Sequence, residues 1–205
     1  METSKNRATL RGAAGDVPRP SHTNHGITYC IFPLEVERLS GAVDTLNVVA
    51  SEELLALCPV ERGGEYEVTG EVRSFNNRSG VGSRLVITFF ARELRRAQGE
   101  HANQLELIGV LCKQPVVRRT PLGREICDLL LAVNRRYGRA DYLPCIAWGS
   151  LARACGHLEV GDAVHLSGRL QSRKYHKMEA GREEERTAYE VSVMALEEKR
   201  AEPGE

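Results

Sequence analysis

The chain has 205 residues, and its 28 Lys and Arg balance 28 Asp and Glu, so the formal net charge is zero. A hydrophobic content of 41% is too high for a disordered chain, and no stretch approaches the roughly 18 apolar residues of a membrane span. Six cysteines without a CxxC pair argue against a zinc ribbon or a disulfide framework. Together with a polar N-terminus that lacks a signal core, they predict a cytoplasmic protein.

The sequence repeats itself at a spacing of 97 residues, which becomes 98 near the end of each copy. The matched positions include Gly12 with Gly109, Cys30 with Cys127, Arg38 with Arg135, Asp44 with Asp141, Cys58 with Cys155 and Gly70 with Gly168. We therefore expect two domains, at residues 6–96 and 103–198, joined by a polar linker within residues 95–102. The matched cysteines are interpreted as small buried fillers of equivalent core positions.

The first copy follows the same order of elements as the second. His22 and His25 precede Gly26 in a stretch that we predict to be a polar loop, with no role in metal binding. Residues 51–58 predict a short helix with Ser51 as its N-cap.

The second copy is read more easily, and its apolar runs predict five strands. These begin near Leu105, cover residues 126–133 and 142–148, and continue with alternating segments at 164–170 and 188–196. The one good helical stretch, residues 149–158, lies between the third and fourth strands. This is the order of an OB-fold, so the sequence predicts an all-β protein of two tandem OB-fold five-stranded barrels, each with one short helix.

Several stretches of the second copy carry a family resemblance. They are residues 108–115, 119–123, 130–136, 142–149, 158–162 and 166–175, and they closely resemble the bacterial single-stranded DNA-binding protein family. The first copy resembles this family weakly, mainly through the repeat. The resemblance implies sequence-tolerant binding and coating of single-stranded DNA in replication, recombination or repair, with no enzymatic activity and no cofactor. It also implies a homodimer, because members commonly use four OB units. The acidic C-terminal tail that recruits partners in many members is absent here or reduced to two glutamates.

Binding a single strand requires flat rings for the bases and cations for the phosphates. Between residues 103 and 177 the second copy has 12 Lys and Arg against 6 Asp and Glu. By resemblance, four rings fall at or near the base-stacking positions of the family: Trp148, Tyr142, Tyr175 and Tyr137. The candidate phosphate contacts are Arg135, Arg136, Arg118, Arg119, Arg124, Arg169, Arg173, Lys174 and Lys177. The Glu183–Glu185 run is interpreted as a solvated hairpin return.

The first copy lacks rings at the four matching positions, which hold Thr45, Ser51, Asn77 and Ser40. Residues 1–102 carry 12 basic and 13 acidic side chains, so we expect a structural or assembly domain in which Arg73 and Phe75 make a minor strand contact. Three alternatives remain open. Trp148 could pack in the core, each arginine could be a solvated surface charge, and the whole chain could be an OB-type protein-interaction module. A preference for RNA is also open.

Overall fold

The computed structural model describes residues 6–77, 84–135, 138–179 and 182–199. The strands are β1 Asn6–Ala14, β2 Arg19–Asn24, β3 Ile27–Glu37, β4 Val43–Ser51, β5 Glu65–Asn76, β6 Leu85–Arg96, β7 Ala102–Leu111, β8 Val116–Arg119, β9 Glu125–Asn134, β10 Ala140–Trp148, β11 Ala163–Glu179 and β12 Arg182–Glu198. The helices are α1 Glu52–Leu57 and α2 Ser150–Cys155. Neither helix is long or apolar enough to cross a membrane, and the described residues contain no other helix.

The contacts divide the chain into two compact units. The first unit combines Arg7–Gln104 with Gln171–Ala188, and the second combines Leu105–Leu170 with the segment from Tyr189 onward. The distal parts of β11 and β12, which we name the arm (residues 171–188), thus group with the first copy.

Five strands close a barrel in the first unit. Strand β1 pairs antiparallel with both β5 and β3, β3 pairs with β4, β4 runs parallel to β6, and β6 returns to β5. The inward residues of these strands form the core, with Leu10, Phe32, Leu34, Leu46 and Phe89 fully buried. Helix α1 follows β4, and Ser51 Oγ accepts a hydrogen bond from the Leu54 amide at 3.2 Å, which confirms the predicted N-cap.

The second unit has the same connectivity. Strand β7 pairs with β11 and β9, β9 pairs with β10, and β10 runs parallel to β12, which neighbours β11. Leu107, Leu131, Leu143 and Leu166 are buried inside. Helix α2 lies between the third and fourth barrel strands, so the predicted OB-fold order is confirmed in both copies.

One glycine pair of the repeat, Gly12 and Gly109, lies where barrel strands approach one another closely. A Cβ on Gly12 would stand 2.2 Å from the Glu35 carbonyl oxygen, and one on Gly109 would stand 2.5 Å from that of Ala132. These are the points at which β1 and β7 change partners, to β3 and β9 respectively. A side chain would push the paired strands apart, so barrel closure itself requires glycine at these positions.

A buried carboxylate also recurs in both copies. Asp44 accepts hydrogen bonds from Arg38 Nε at 2.7 Å and Nη2 at 2.6 Å, and Asp141 accepts the equivalent two bonds from Arg135. Asp44 Oδ1 further accepts from the Ser172 amide at 2.7 Å and lies 3.2 Å from Ser172 Oγ. Ser172 Oγ also accepts from the Thr45 amide at 3.0 Å. Since Ser172 lies in the arm, these hydrogen bonds to Asp44 hold the arm within the first unit.

Several local expectations require correction. His22 lies in strand β2, which is paired with β3, and not in a loop. The second copy has a corresponding short strand, β8, which its sequence did not reveal because all four residues are exposed. Of the matched cysteines, Cys30, Cys127 and Cys155 are buried as expected, whereas Cys58 is half-buried.

Candidate nucleic-acid interface

The outer face of β10 presents the two large rings of the second unit. Side chains alternate along this strand, so that Asp141, Leu143 and Cys145 are buried while Tyr142 and Trp148 are 46% and 38% exposed. The Trp148 ring is therefore not sealed in the barrel core. The six-residue separation places the two rings about 20 Å apart along one face of the strand.

Trp148 belongs to a row of three directly opposed residues on neighbouring strands. Arg118 of β8 is opposite Ile126 of β9, and Ile126 is opposite Trp148. Directly opposed side chains share a face of the sheet at about 5 Å. The row therefore places a cation and an indole on either side of Ile126, whose own side chain is buried.

Acidic side chains partly neutralise the cations around this row. Arg118 donates to Asp128 through Nε and through Nη2 at 3.1 Å. Glu125 accepts from Arg153 and, at 3.4 Å, from Arg119. These two arginines, Arg153 foremost, lower the pKa of Glu125 by hydrogen bonding. Arg124, by contrast, is exposed and has no ion pair with a described residue.

Two further arginines are engaged by other groups of the protein. Arg135 donates through Nε and Nη2 to the buried carboxylate of Asp141. Arg135 therefore has a structural role like that of Arg38. Arg169 is half-buried on β11 and also makes contacts within the protein.

The remaining candidates belong to the arm or lie outside the described residues. Tyr175 is half-buried, the Arg173 guanidinium is 5.8 Å from its ring centroid, and Lys174 pairs with Glu185 at 3.0 Å. These residues group with the first unit, whereas Trp148 and Tyr142 belong to the second. Arg136, Tyr137 and the tail at residues 200–205 lie outside the described residues, as does the side chain of Lys177.

The first copy has no ring at the four matching positions, but three neighbouring rings occur elsewhere on it. Tyr29 of β3 lies between two other rings, with the centroid of His22 at 5.0 Å and that of Phe90 at 5.5 Å. The sequence comparison missed these rings because it examined the positions that match Trp148 and Tyr142. The alternation of β3 is the signal that could have revealed this ring. Cys30, Phe32 and Leu34 take every second position and are buried, so Tyr29 lies on the outward face of the strand.

No group of three or more His, Cys, Asp or Glu residues suited to a metal ion occurs in the described part of the chain. The candidate surface consists of rings, cations and their acidic partners.

Known proteins resemble this chain in sequence and in fold. The family model described as "Single-strand binding protein family" matches residues 102–197. The Clostridium tetani single-stranded DNA-binding protein is 33% identical over 87 residues, which are 39% of this chain and 60% of that protein. Single-stranded DNA-binding protein B of Bacillus subtilis is 36% identical over 84 residues, 38% of this chain and 74% of that protein.

The crystal structure of the Thermus aquaticus single-stranded DNA binding protein superposes with a TM-score of 0.80 at 23% identity, covering 98% of this chain and 95% of that chain. At this identity the likeness establishes the fold. Matches to several curated relatives span 51% to 60% of their length. The match with the Bacillus subtilis protein covers three-quarters of that relative and, with the family model on residues 102–197, shows that the chain belongs to the single-strand binding protein family.

Proposed function

We propose that this protein binds single-stranded DNA through the outer face of the second unit, without enzymatic chemistry. One observation carries the proposal: Trp148 and Tyr142, the two rings on one face of β10, are both exposed. Bases of any sequence can stack on such rings, and each stack contributes roughly 1–3 kcal/mol. The relatives named for single-stranded DNA binding support this choice of ligand.

The cations beside Trp148 supply the phosphate contacts in this proposal. Arg124 is the best-placed cation by availability, because it is exposed and unpaired among the described residues. Arg118 and Arg119 are also exposed, but each would have to leave its ion pair, with Asp128 and Glu125 respectively, in order to contact a phosphate. Counterion release makes such binding weaken as salt rises.

The wider role follows from the same chemistry. Sequence-tolerant stacking suits a protein that coats exposed strands in replication, recombination or repair. We further propose a homodimer that provides four OB units, and a cytoplasmic location, which is supported by six cysteines that are all thiols. Sedimentation analysis gives the oligomeric state, and a monomer at micromolar concentration would contradict the dimer.

The decisive experiment uses the single tryptophan as its own probe. Titration with oligo-dT should quench Trp148 emission, and the affinity should fall as salt increases. Measured by the anisotropy of a labelled oligo-dT, which needs no tryptophan, Trp148→Ala and Tyr142→Ala should each weaken binding about 5- to 150-fold, corresponding to roughly 1–3 kcal/mol per stacked base. Val160→Ala is the matched control, because Val160 is an exposed apolar residue between α2 and β11, outside strands β8, β9 and β10, and should not matter. Unchanged emission without salt-sensitive binding would instead indicate the protein-interaction module, and competition with poly-U tests the preference for DNA over RNA.

A further inference from the structure

We propose that the open edge of strand β8 binds an extended acidic segment of a partner protein, which pairs with it as an additional β-strand. The partner segment places an aliphatic side chain opposite Val117 and a carboxylate opposite Arg119. This interaction surface goes beyond the proposed function, because it uses main-chain groups of the protein that base stacking and phosphate contacts do not need.

Strand β8 lies at the edge of its sheet, and its only strand neighbour among the described residues is β9. The opposed pairs of an antiparallel ladder alternate between hydrogen-bonded and non-hydrogen-bonded pairs. Just beyond β8, the Thr120 amide donates to the Arg124 carbonyl oxygen at 2.9 Å and continues the same register. Counting back from Thr120, Arg118 is hydrogen-bonded to β9. The amides and carbonyls of Val117 and Arg119 therefore point away from β9.

The other side of β9 agrees with this assignment. The Gly149 amide donates to the Glu125 carbonyl oxygen at 2.9 Å, so the main chain of Glu125 faces β10 and not Arg119. No described residue forms a hydrogen bond with the outward main-chain groups of Val117 or Arg119. The edge thus offers one donor and one acceptor from each of these residues, which an added strand can satisfy.

The first copy blocks the corresponding edge. Pro20 of β2 is opposite Cys30 of β3. Its counterpart in the repeat, Val117, is opposite Cys127 of β9. Because proline has no amide hydrogen, the outward donor is missing from β2, and the register of β2 shifts directly after Pro20. Prolines and irregular pairing keep a sheet edge from binding a further strand. Strand β8 contains no proline and pairs in a continuous register, so its edge stays open.

The side chains beside this edge favour an aliphatic and acidic partner. Val117 is 47% exposed and lies next to the end of α2, where a Cβ on Gly156 would stand 3.0 Å from Val117 Cγ2. Arg119 lies on the same face of β8 and shares Glu125 with Arg153 of α2. These three charged groups retain one net positive charge, and the Arg119 side chain is 75% exposed. A carboxylate opposite Arg119 and an aliphatic residue opposite Val117 are therefore complementary to this face.

A second copy of the chain is a poorer occupant of this edge. When two β8 strands pair antiparallel with both Val117 and Arg119 bonded, the two Arg118 residues stand directly opposite each other. Like charges at directly opposed positions destabilise a sheet, whereas opposite charges stabilise it. The arginines of β8 thus oppose self-pairing and attract an acidic strand, which is why the inference commits to a partner protein.

A designed peptide tests the edge directly. The probe is a capped heptapeptide with valine at its centre, a glutamate two residues to either side and threonine elsewhere, so that it suits either strand direction. Its binding should slow hydrogen exchange of the Val117 and Arg119 amides, measured by NMR. Replacing both glutamates by lysine, or N-methylating the valine and the glutamates, should weaken binding by about fivefold or more. No binding of the probe, or equal binding of either altered peptide, would show that the inference is wrong.

A proline transferred from the first copy provides the matching protein variant. Val117→Pro removes the outward amide hydrogen, as Pro20 does in β2, and leaves the hydrogen bonds of Arg118 to β9 in place. The peptide should bind this variant about fivefold or more weakly than the parent, while oligo-dT should still quench Trp148. Val160→Ala, at an exposed residue between α2 and β11, is the control and should keep the parental affinity for the peptide. Parental affinity of Val117→Pro would overturn the inference.

The outcomes separate this inference from the proposed function. Peptide binding without quenching of Trp148 by oligo-dT contradicts only the proposed function, and quenching without peptide binding contradicts only the inference. If oligo-dT and not the peptide slows exchange of the Val117 and Arg119 amides, the edge belongs to the DNA-binding surface and the inference is wrong. The altered peptides are measured on the parent protein, so the test remains decisive even if Val117→Pro does not fold.

Discussion

The buried carboxylate of Asp44 allows a quantitative prediction about how the arm is held. Its Oδ1 accepts hydrogen bonds from Arg38 Nη2, the Ser172 amide and Ser172 Oγ, while its Oδ2 accepts one from Arg38 Nε. In Asp44→Asn, the remaining oxygen should occupy the Oδ1 position, where it keeps three partners. The new amide group then faces Arg38 Nε, donor against donor, and the guanidinium loses its buried counter-charge.

The magnitude follows from burial. Removing one partner of a fully buried ion pair costs about 3–5 kcal/mol. Asp44 is 1% exposed, but Arg38 is 23% exposed and can recover some hydration. We therefore expect Asp44→Asn to lower the free energy of unfolding by about 3 kcal/mol, which corresponds to a melting temperature lower by roughly 6–12 °C for a chain of this size.

Urea denaturation followed by circular dichroism measures this loss. Asp128→Asn is the control, since its pair with Arg118 is exposed on both sides and should contribute under about 1 kcal/mol. A double-mutant cycle with Ser172→Ala should give a coupling of about 1 kcal/mol. The reasoning is refuted if Asp44→Asn costs no more than Asp128→Asn, or if the two changes in the cycle are simply additive.

Three other expectations concern the barrel and the interface. Gly109→Ala should destabilise the protein by about 2–3 kcal/mol because its Cβ would meet the Ala132 carbonyl. Gly123→Asn is the control and should be nearly neutral, because Gly123 lies at a turn with a φ of 77° and has open space around it. Equal unfolding midpoints of the two variants would contradict this argument. Glu67 is directly opposite Arg11 and Arg95, whose hydrogen bonds, Arg11 first, lower its pKa. The ionised Glu67 carboxylate therefore stabilises the fold at pH values above its unfolded pKa of about 4.3. This stabilisation is lost as the pH falls through the lower pKa that Glu67 has in the folded protein. Parent protein should exceed Glu67→Gln in stability by about 1 kcal/mol at pH 7, and urea titrations at pH 7, 5 and 3 should show the difference closing; a constant difference would argue against it. Finally, Arg124→Gln should weaken oligo-dT binding and reduce the slope of log affinity against log salt by about one. Lys199→Gln, at the residue that follows β12, should leave the slope unchanged.

The sequence was sufficient to predict the fold because the relevant constraints are local or repeated. Alternating apolar residues identified the barrel strands, and Ser51 identified the start of α1. The edge strands β2 and β8 were missed since all of their residues are exposed and no hydrophobic alternation exists to detect.

The candidate site was less accessible to sequence reasoning. Exposure of Trp148 depends on which way β10 faces, and this is set by strand pairing. The engagement of Arg135 by Asp141 could have been suspected, because both residues recur as Arg38 and Asp44. The neighbouring rings of His22, Tyr29 and Phe90 could not be found by matching the two copies position by position, since the three rings come from different strands.

The first turn of α1 offers a reason why the two copies display their rings on different strands. Ser51 occupies the position equivalent to Trp148, but its hydroxyl caps the helix, and removing such a cap costs about 1 kcal/mol. In the second copy the helix begins one residue later, after Gly149, which releases position 148 for an indole. After a duplication, one copy could therefore keep its cap and place its aromatic group on the adjacent strand. A search for inherited binding residues should compare whole rows of a sheet, because selection can preserve a surface while its side chains change places.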